Sequence, residues 1–522
     1  MYEKCLTKDK CLSDNIWQEI SIFLMIVTGL SVLFFWDGLY GFDLADEGFL
    51  WYGAQRVLAG EVPLRDFASY DIGRYYWSAA FMSLVGDNGV VTLRISTILF
   101  QAIALCIGFV ALFRNSTKQS LFFWLLTMTT LVVWMIPLYK LFDISLPIIL
   151  IAVFSFLVKK PSRARYFFAG LAVGLVAVFG RNHGLYGVAG SISVMLYLII
   201  KRENGPNLIT GFLFWLLGVV AGYLPVLIFL AVVPGFAPAF WESIRVLLFE
   251  IKETNIPLPV PWPWLVPFGK VPLAYAISYV LRGVFFIAIL VFGIMGIVWV
   301  IKQLLQKKDV SPTVVASIFL ALPYAHYAYS RADLIHLALG IPPFFVGIFA
   351  LLAGQSSKIK WSFAVLLCGC SLFLMLQVHP GWYCYSNKQC VNTKVAGDNL
   401  KVNFRTAQNL RMLNNVAQQF IASNGTFICA PFCPGAYAVL GRKSPMWDIY
   451  ALFPRSAAFQ QAEIERIKVA NPDVAIIDNS SLDGRNELRF RNTNPIIDQY
   501  IRENFERLND LTENPAIYRS KP

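Results

Sequence analysis

The chain has 522 residues, of which 57% are hydrophobic and 15% charged, and its net charge is +12; the mean hydropathy is +0.57. Soluble domains carry about 25% charged residues, so a soluble globular protein is excluded. The basic excess is not a nucleic-acid footprint either, because the lysines and arginines stand in short blocks between apolar runs.

Those runs recur from Trp17 to Leu376, at roughly 14 to 25 residues each against the roughly 20 that a membrane-spanning helix needs. The N-terminus carries Lys4, Lys8 and Lys10, balanced by acids. Residues 17–36 form the first run. It lacks a small-residue cleavage site and is long enough to span, which predicts a first span rather than a signal peptide. A charged loop follows at residues 37–89, with eight acids against three arginines. Its short apolar piece, residues 75–85, predicts an interfacial segment. Further spans are predicted at residues 90–113, 120–137, 145–158, 166–179, 184–200 and 209–233. A second long loop occupies residues 234–276. Four more spans follow at 277–301, 313–329, 334–352 and 361–376.

Charge tests this eleven-span topology. The blocks after the even-numbered spans hold 13 Lys and Arg against two acids, Glu203 and Asp309. By the positive-inside rule that side faces the cytoplasm. The N-terminus is then cytoplasmic and the C-terminus outside.

The chain therefore divides into a transmembrane domain, residues 1–377, and an extracytoplasmic domain, residues 378–522. The tail alternates helix-like and strand-like patterns. Helices are predicted near 399–423, 456–470 and 495–508, and strands near 426–430 and 474–478. That order suggests a small α/β layer with a parallel pair, long enough to bury its own core. The stretch YAVLGRKSP reads as strand and turn. Four of the nine cysteines lie in the tail, in close pairs: Cys384 with Cys390, and Cys429 with Cys433. An even count suits an oxidising compartment. Two local disulfides, one bridge between the pairs, and four free thiols remain as alternatives. No second Cys/His pair supports zinc at CAPFC.

The polar residues at membrane depth gather at the predicted outer ends of spans. Arg94 opens the second span. Lys140 and Asp143 lie in the turn after the third, and Arg181, Asn182 and His183 in the turn after the fifth. Arg331, Asp333 and His336 lie between the ninth and tenth. Ionisable groups bordering a membrane mark a function or a pairing. With the first loop they are predicted to line one outward cavity of mixed charge. Arginines there suit phosphate oxygens, and carboxylates suit general-base work on a hydroxyl. Simpler roles stand beside these. Asp46 and Glu47 also suit a helix N-terminus, Arg94 can snorkel, and Asp66 can pair with Arg65. His326 reads as structural. PLPVPWPWLVP, residues 257–267, reads as a segment resting on the membrane surface through Trp262 and Trp264, or as a gate.

The stretch ADEGFLWYGAQRVLAGEVPLRDF, directly after the first span, resembles the opening of the GT-C superfamily of membrane glycosyltransferases. The likeness is to the protein O-mannosyltransferase and lipid A aminoarabinose transferase type. It rests on Asp46-Glu47, then Gly60, Pro63, Arg65, Asp66 and Phe67; Leu64 stands where that type often has an aromatic. The resemblance implies an inverting transfer of a sugar from a polyprenyl-phosphate donor to a lipid, glycan or protein acceptor on the outer face. It implies Asp46 as the base, with Asp43 as its rival and Glu47 beside it. Arg65, Asp66, Asp71, Arg74, Arg94, Arg181, His183, Arg331, Asp333 and His336 are the substrate-binding candidates. Of these, Arg74, Arg94, Arg181 and Arg331 are candidates to hold the leaving phosphate, where charge develops. Metal need varies across the superfamily, and no metal ligand is assigned. Where the aminoarabinose type has Lys-Pro-Pro, this chain reads SYDIGRYYW. If Asp71 and Arg74 occupy that place, the donor or acceptor differs. A polyprenyl-linked glycan polymerase or ligase is a second enzyme reading. A lipid-linked sugar flippase is the non-enzymatic one, although transporters often show repeats and none is visible here. A bacterial inner membrane, with the tail in the periplasm, suits the charge and cysteine patterns.

Overall fold

The computed structural model describes residues 8–116, 119–201, 205–253, 255–387, 389–508 and 514–521. Lys4, Lys118, Arg202 and Glu203 lie outside them. Packing divides the chain into two compact units, each assembled from separate stretches. One comprises Met1–Trp36, Thr97–Leu227 and Asn255–Trp382; the other comprises Asp37–Ser96, Ile228–Thr254 and Tyr383–Pro522.

The first unit is a helix bundle. The expected eleven spans overcount. Among the described residues, seven helices are long and apolar enough to cross a membrane, or eight if Leu334–Gly340 and Pro342–Leu352, bent 55° at their junction, form one span. The other three predicted spans are helical but do not qualify. Leu121–Trp134 has 14 residues, about 21 Å at the α-helical rise. Arg163–Phe179 has 17. Pro312–Ser330 has 19, but Tyr324, His326, Tyr327 and Tyr329 dilute its C-terminal half. That helix sits at the centre of the bundle, packed on Leu141–Lys159, Arg181–Lys201, Leu273–Leu305 and Pro342–Leu352. A polar side chain is tolerated there because protein, not lipid, surrounds it.

Two helices of this unit cross at backbone distance. A Cβ added at Gly170 or Gly174 would strike the main chain of Trp215 and Val219, and one at Gly218 or Gly222 that of Phe167 and Leu171. Small residues four apart on both Arg163–Phe179 and Leu208–Val232 allow this approach.

The second unit joins the loop helices Asp46–Leu58, Ile72–Val85 and Phe236–Arg245 to the tail. The segment expected at the interface lies within Ile72–Val85, whose 14 residues are too few to span. In the tail, β1 (Cys390–Val395) and β2 (Asp398–Asn403) form an antiparallel hairpin. Residues 399–403, read as helix, are therefore strand, and the helix is Phe404–Phe420. A four-stranded sheet follows in the order β3-β4-β6-β5. Strands β3 (Phe427–Ala430) and β4 (Val474–Ile477) are the expected parallel pair. The antiparallel β5 (Phe505–Arg507) and β6 (Ala516–Ser520) extend the sheet. Ile428, Ile464, Ile467, Ile477, Phe490 and Ile501 fill its core. Both local disulfides form, Cys384–Cys390 and Cys429–Cys433. YAVLGRKSP is not strand. Its first half completes the helix Pro434–Leu440, which Gly441 ends at φ 62°. Proline at the first turn and glycine past the last are helix signals, and Gly435 presses on Gly48 of the first-loop helix.

Candidate functional site

The Asp-Glu pair is built from Asp43 onward. The Asp43 carboxylate Oδ1 accepts a hydrogen bond from the Ala45 N–H at 2.8 Å, and this turn leads into the helix Asp46–Leu58. Asp46 and Glu47 occupy the first helical turn, where negative charge complements the helix dipole. They then part company. Glu47 is 3% exposed and takes a fork from Arg94, Nε to Oε1 at 2.6 Å and Nη2 to Oε2 at 2.7 Å. The remaining Arg94 donors reach the carbonyls of Gly38, Tyr40 and Gly41 at 2.9, 3.1 and 2.8 Å. A guanidinium has five N–H donors, and all five are engaged within this loop's own fold. Arg94 is a buried staple here and does not snorkel.

Asp46 is half-buried. Its Oδ1 accepts the hydroxyl of Tyr450, from the tail, at 3.0 Å. The Tyr450 ring packs against Phe49 and Phe432, with centroids 5.3 and 5.2 Å away. Phe49 also meets Tyr70 edge-on at 4.8 Å, and the buried Arg74 guanidinium lies 4.7 Å from the Tyr70 ring centre. Burial foremost, then the Asp46 and Glu47 carboxylates, push Asp43 up to about 6. Burial and the charge of Asp46 raise the Tyr450 phenol far above its usual range, so it stays a donor. The result is a half-open acidic mouth. One carboxylate oxygen of Asp46 is held by a phenol, Asp43 takes up a proton as pH falls through about 6, and a buried cation and aromatic faces stand nearby.

Arg65 and Asp66 hold the following turn together. Arg65 forks onto Asp66 at 2.9 and 2.7 Å and donates to the Pro234 carbonyl at 3.0 Å. Asp66 accepts the Val62 N–H at 2.7 Å. Leu64 is held at φ 69°, a conformation uncommon for a branched side chain. Its N–H reaches Ser69 Oγ at 2.8 Å and its carbonyl accepts the Trp447 indole N–H at 3.1 Å. Asp71 occupies the N-cap position of Ile72–Val85 with no side-chain capping bond.

The other unit holds a second polar cluster. His183 is fully buried; its Nε2 meets Asp143 Oδ1 at 2.9 Å and its Nδ1 meets the Tyr324 hydroxyl at 3.0 Å. The Tyr327 hydroxyl donates to the same Asp143 oxygen at 3.3 Å. Tyr186 and His326 pair at 2.8 Å. Asp333 caps the helix Leu334–Gly340 through the His336 N–H at 2.8 Å, contacts His336 Nδ1 at 2.8 Å and receives Arg331 Nε at 2.8 Å. Arg331 also donates to the Ile256 carbonyl at 3.0 Å. Arg181 is the first residue of its helix. Asp43, Asp46, Glu47, Arg65, Asp66, Asp71, Arg74 and Arg94 thus belong to one unit, and Arg181, His183, Arg331, Asp333 and His336 to the other. Sequence reasoning gave no role to Tyr450, Tyr70, Tyr324 or Tyr327, and listed Asp143 without assigning it one. Among the described residues, no group of three or more His, Cys, Asp or Glu is disposed to hold a metal ion.

No protein-family model matches the chain, and no curated protein matches it. Solved structures do. The crystal structure of ArnT from Cupriavidus metallidurans in the apo state matches 96% of this chain and 98% of its own, with a TM-score of 0.58 at 11% identity. ArnT from Cupriavidus metallidurans bound to undecaprenyl phosphate matches with a TM-score of 0.52 at 12% identity, covering 96% of this chain and 98% of that one. The archaeal oligosaccharyltransferase AglB from Archaeoglobus fulgidus reaches a TM-score of 0.41 at 12% identity, over 97% of this chain and 74% of its own. The two ArnT likenesses span nearly the whole chain and are likenesses of fold. This chain therefore shares the fold of ArnT over nearly its whole length.

Proposed function

We propose that this protein is an integral-membrane glycosyltransferase. It moves a sugar from a polyprenyl-phosphate donor to a lipid, glycan or protein acceptor on the outer face of the membrane. The reaction inverts the anomeric carbon. The observation that carries the reading is the pair of unlike acids at the half-open mouth of the first loop. Glu47 is locked to Arg94, whereas Asp46 is half-buried and accepts the Tyr450 hydroxyl on one oxygen. The fold shared with ArnT, a protein crystallised with undecaprenyl phosphate, supports the choice of donor class.

In this reading Asp46 takes the acceptor's hydroxyl proton as the new glycosidic bond forms, and the bond from the anomeric carbon to the phosphate oxygen breaks. Asp43 is the second candidate for the base. A base acts best with a proton affinity near the working pH, and Asp43, pushed to about 6, meets that condition. The leaving phosphate gathers negative charge, which fixed cations stabilise in a water-poor site. Arg74, buried beside the Tyr70 ring, is the loop's candidate for that task. The protein sits in a bacterial inner membrane, with its N-terminus in the cytoplasm and its tail in the periplasm.

The test is release of polyprenyl phosphate by the purified protein in lipid. It is offered a panel of radiolabelled polyprenyl-phosphate sugars and a membrane extract as acceptor, with Asp46→Asn alongside. Release that disappears in the variant supports the transferase and its base. Equal release by both moves the base to Asp43. No release, with labelled lipid crossing the bilayer instead, overturns the enzyme in favour of a flippase.

A further inference from the structure

We propose that the tail completes the site. Tyr450 is a positioning residue that fixes the aim of Asp46, and the loop of residues 444–455 exists to present it. The inference rests on the reading of Asp46 as the base.

The loop is held far more tightly than an exposed connection needs. The Glu463 carboxylate, its residue fully buried, accepts the N–H groups of Trp447 and Asp448 at 2.8 and 3.2 Å. Arg455 ties Asp448 at 3.1 Å. Ser444 Oγ donates to the Met446 carbonyl at 3.0 Å and accepts the Met446 N–H at 3.1 Å. The N–H of Ala451, next to Tyr450, reaches the Pro431 carbonyl at 3.1 Å. Pro431 and Phe432 lie inside the small ring closed by Cys429–Cys433, and Phe432 packs on the Tyr450 ring. The hydroxyl therefore arrives at Asp46 on a support braced from several sides.

The same loop grips the first loop at further points. Ser444 donates its N–H to the Tyr52 hydroxyl at 2.9 Å. Trp447 gives its indole N–H to Leu64 and its carbonyl to the Ala68 N–H at 2.8 Å. Both first-loop motifs, the acidic pair and the turn of residues 60–67, are thus set by one segment of the tail. Charged groups of the same mouth are Asp43, the buried Arg74 beside Tyr70, and Glu47, which is paired with Arg94. A hydroxyl donor on one Asp46 oxygen fixes the rotation of the carboxylate and so the direction in which it meets an acceptor.

Tyr450→Phe tests this, since it keeps the ring between Phe49 and Phe432 and removes only the hydroxyl. With the polyprenyl-phosphate sugar that the wild type turns over, the variant should lose about tenfold in kcat, as loss of one hydrogen bond to a charged group implies. KM for the donor should not change. Unchanged kcat, or a loss shared equally with a rise in donor KM, overturns the proposal. A second measurement needs no turnover: carbodiimide labelling of carboxyls at pH 6, read by mass spectrometry of the Asp46 peptide. The Tyr450 hydroxyl occupies an Asp46 oxygen, so its removal should raise labelling of Asp46 several-fold in Tyr450→Phe. Equal labelling overturns the proposal. If the wild type releases no polyprenyl phosphate from any donor, the transferase reading fails, and labelling alone still decides whether Tyr450 governs Asp46.

Discussion

Two polar clusters in this protein use similar groups in opposite ways. In the helix bundle, His183 and Asp143 are 0% and 1% exposed, and the tyrosine hydroxyls around them point at one another's partners. In the loop unit, Asp43, Asp46 and Tyr450 are half-buried. A polar group among membrane-spanning helices is stable only when its hydrogen bonds are met by protein, so a closed network there is first a solution to packing. At the mouth of the first loop no such requirement operates. There burial first, and then the neighbouring acids, raise the proton affinity of Asp43. In the proposed reading the closed cluster serves packing and the open one serves chemistry.

Substitutions can break that distinction. The largest effect should come from Asp46→Asn, which is expected to lower turnover about 10²- to 10⁴-fold, the range for a general base, without loss of thermal stability. Next is Asp143→Asn. It removes the carboxylate that His183 and Tyr327 meet in a sealed site, and a buried polar group left without its partner costs about 1–3 kcal/mol. Thermal unfolding in detergent should report it. Turnover lost with stability intact would mean that the closed cluster also does chemistry, and the comparison would fail. Asp333→Ala removes the cap of a short helix and should cost about 1 kcal/mol, measurable by the same scan. The smallest effect is a slope. Asp43 binds its proton more tightly in the folded chain than in the unfolded one, so its contribution is present below pH 4 and is lost as pH rises through about 6. Relative to Asp43→Asn, the wild type should therefore lose thermal stability as pH rises from 4 to 7. Identical pH dependence in the two proteins would contradict the crowded mouth.

Much of this was legible in the chain. Apolar runs located the helices, and β3 and β4 announced themselves as short apolar stretches after helical ones. Counting spans failed where length and burial diverge. Leu121–Trp134 is apolar but short, and Pro312–Ser330 is central because its neighbours shield its tyrosines. The candidate acids stood out by their density, but their unequal roles did not. Nothing near Glu47 signals that Arg94, 47 residues away, will take both of its oxygens. Tyr450 lies 404 residues from Asp46, and a tyrosine in a polar loop carries no local mark of its partner. YAVLGRKSP misled because its residues favour a strand, whereas the contact of Gly435 with Gly48 requires a helix.

The crossing of Arg163–Phe179 and Leu208–Val232 bears on how such a chain changes over generations. Lipid-facing positions on both helices can exchange one apolar residue for another freely, so that identity decays while shape persists. Gly170, Gly174, Gly218 and Gly222 have no such latitude, because main chain fills the space a side chain would take. Among relatives of this chain, these four positions should be among the slowest to vary. A search for distant kin by spacing of small residues should then reach further than one by overall likeness.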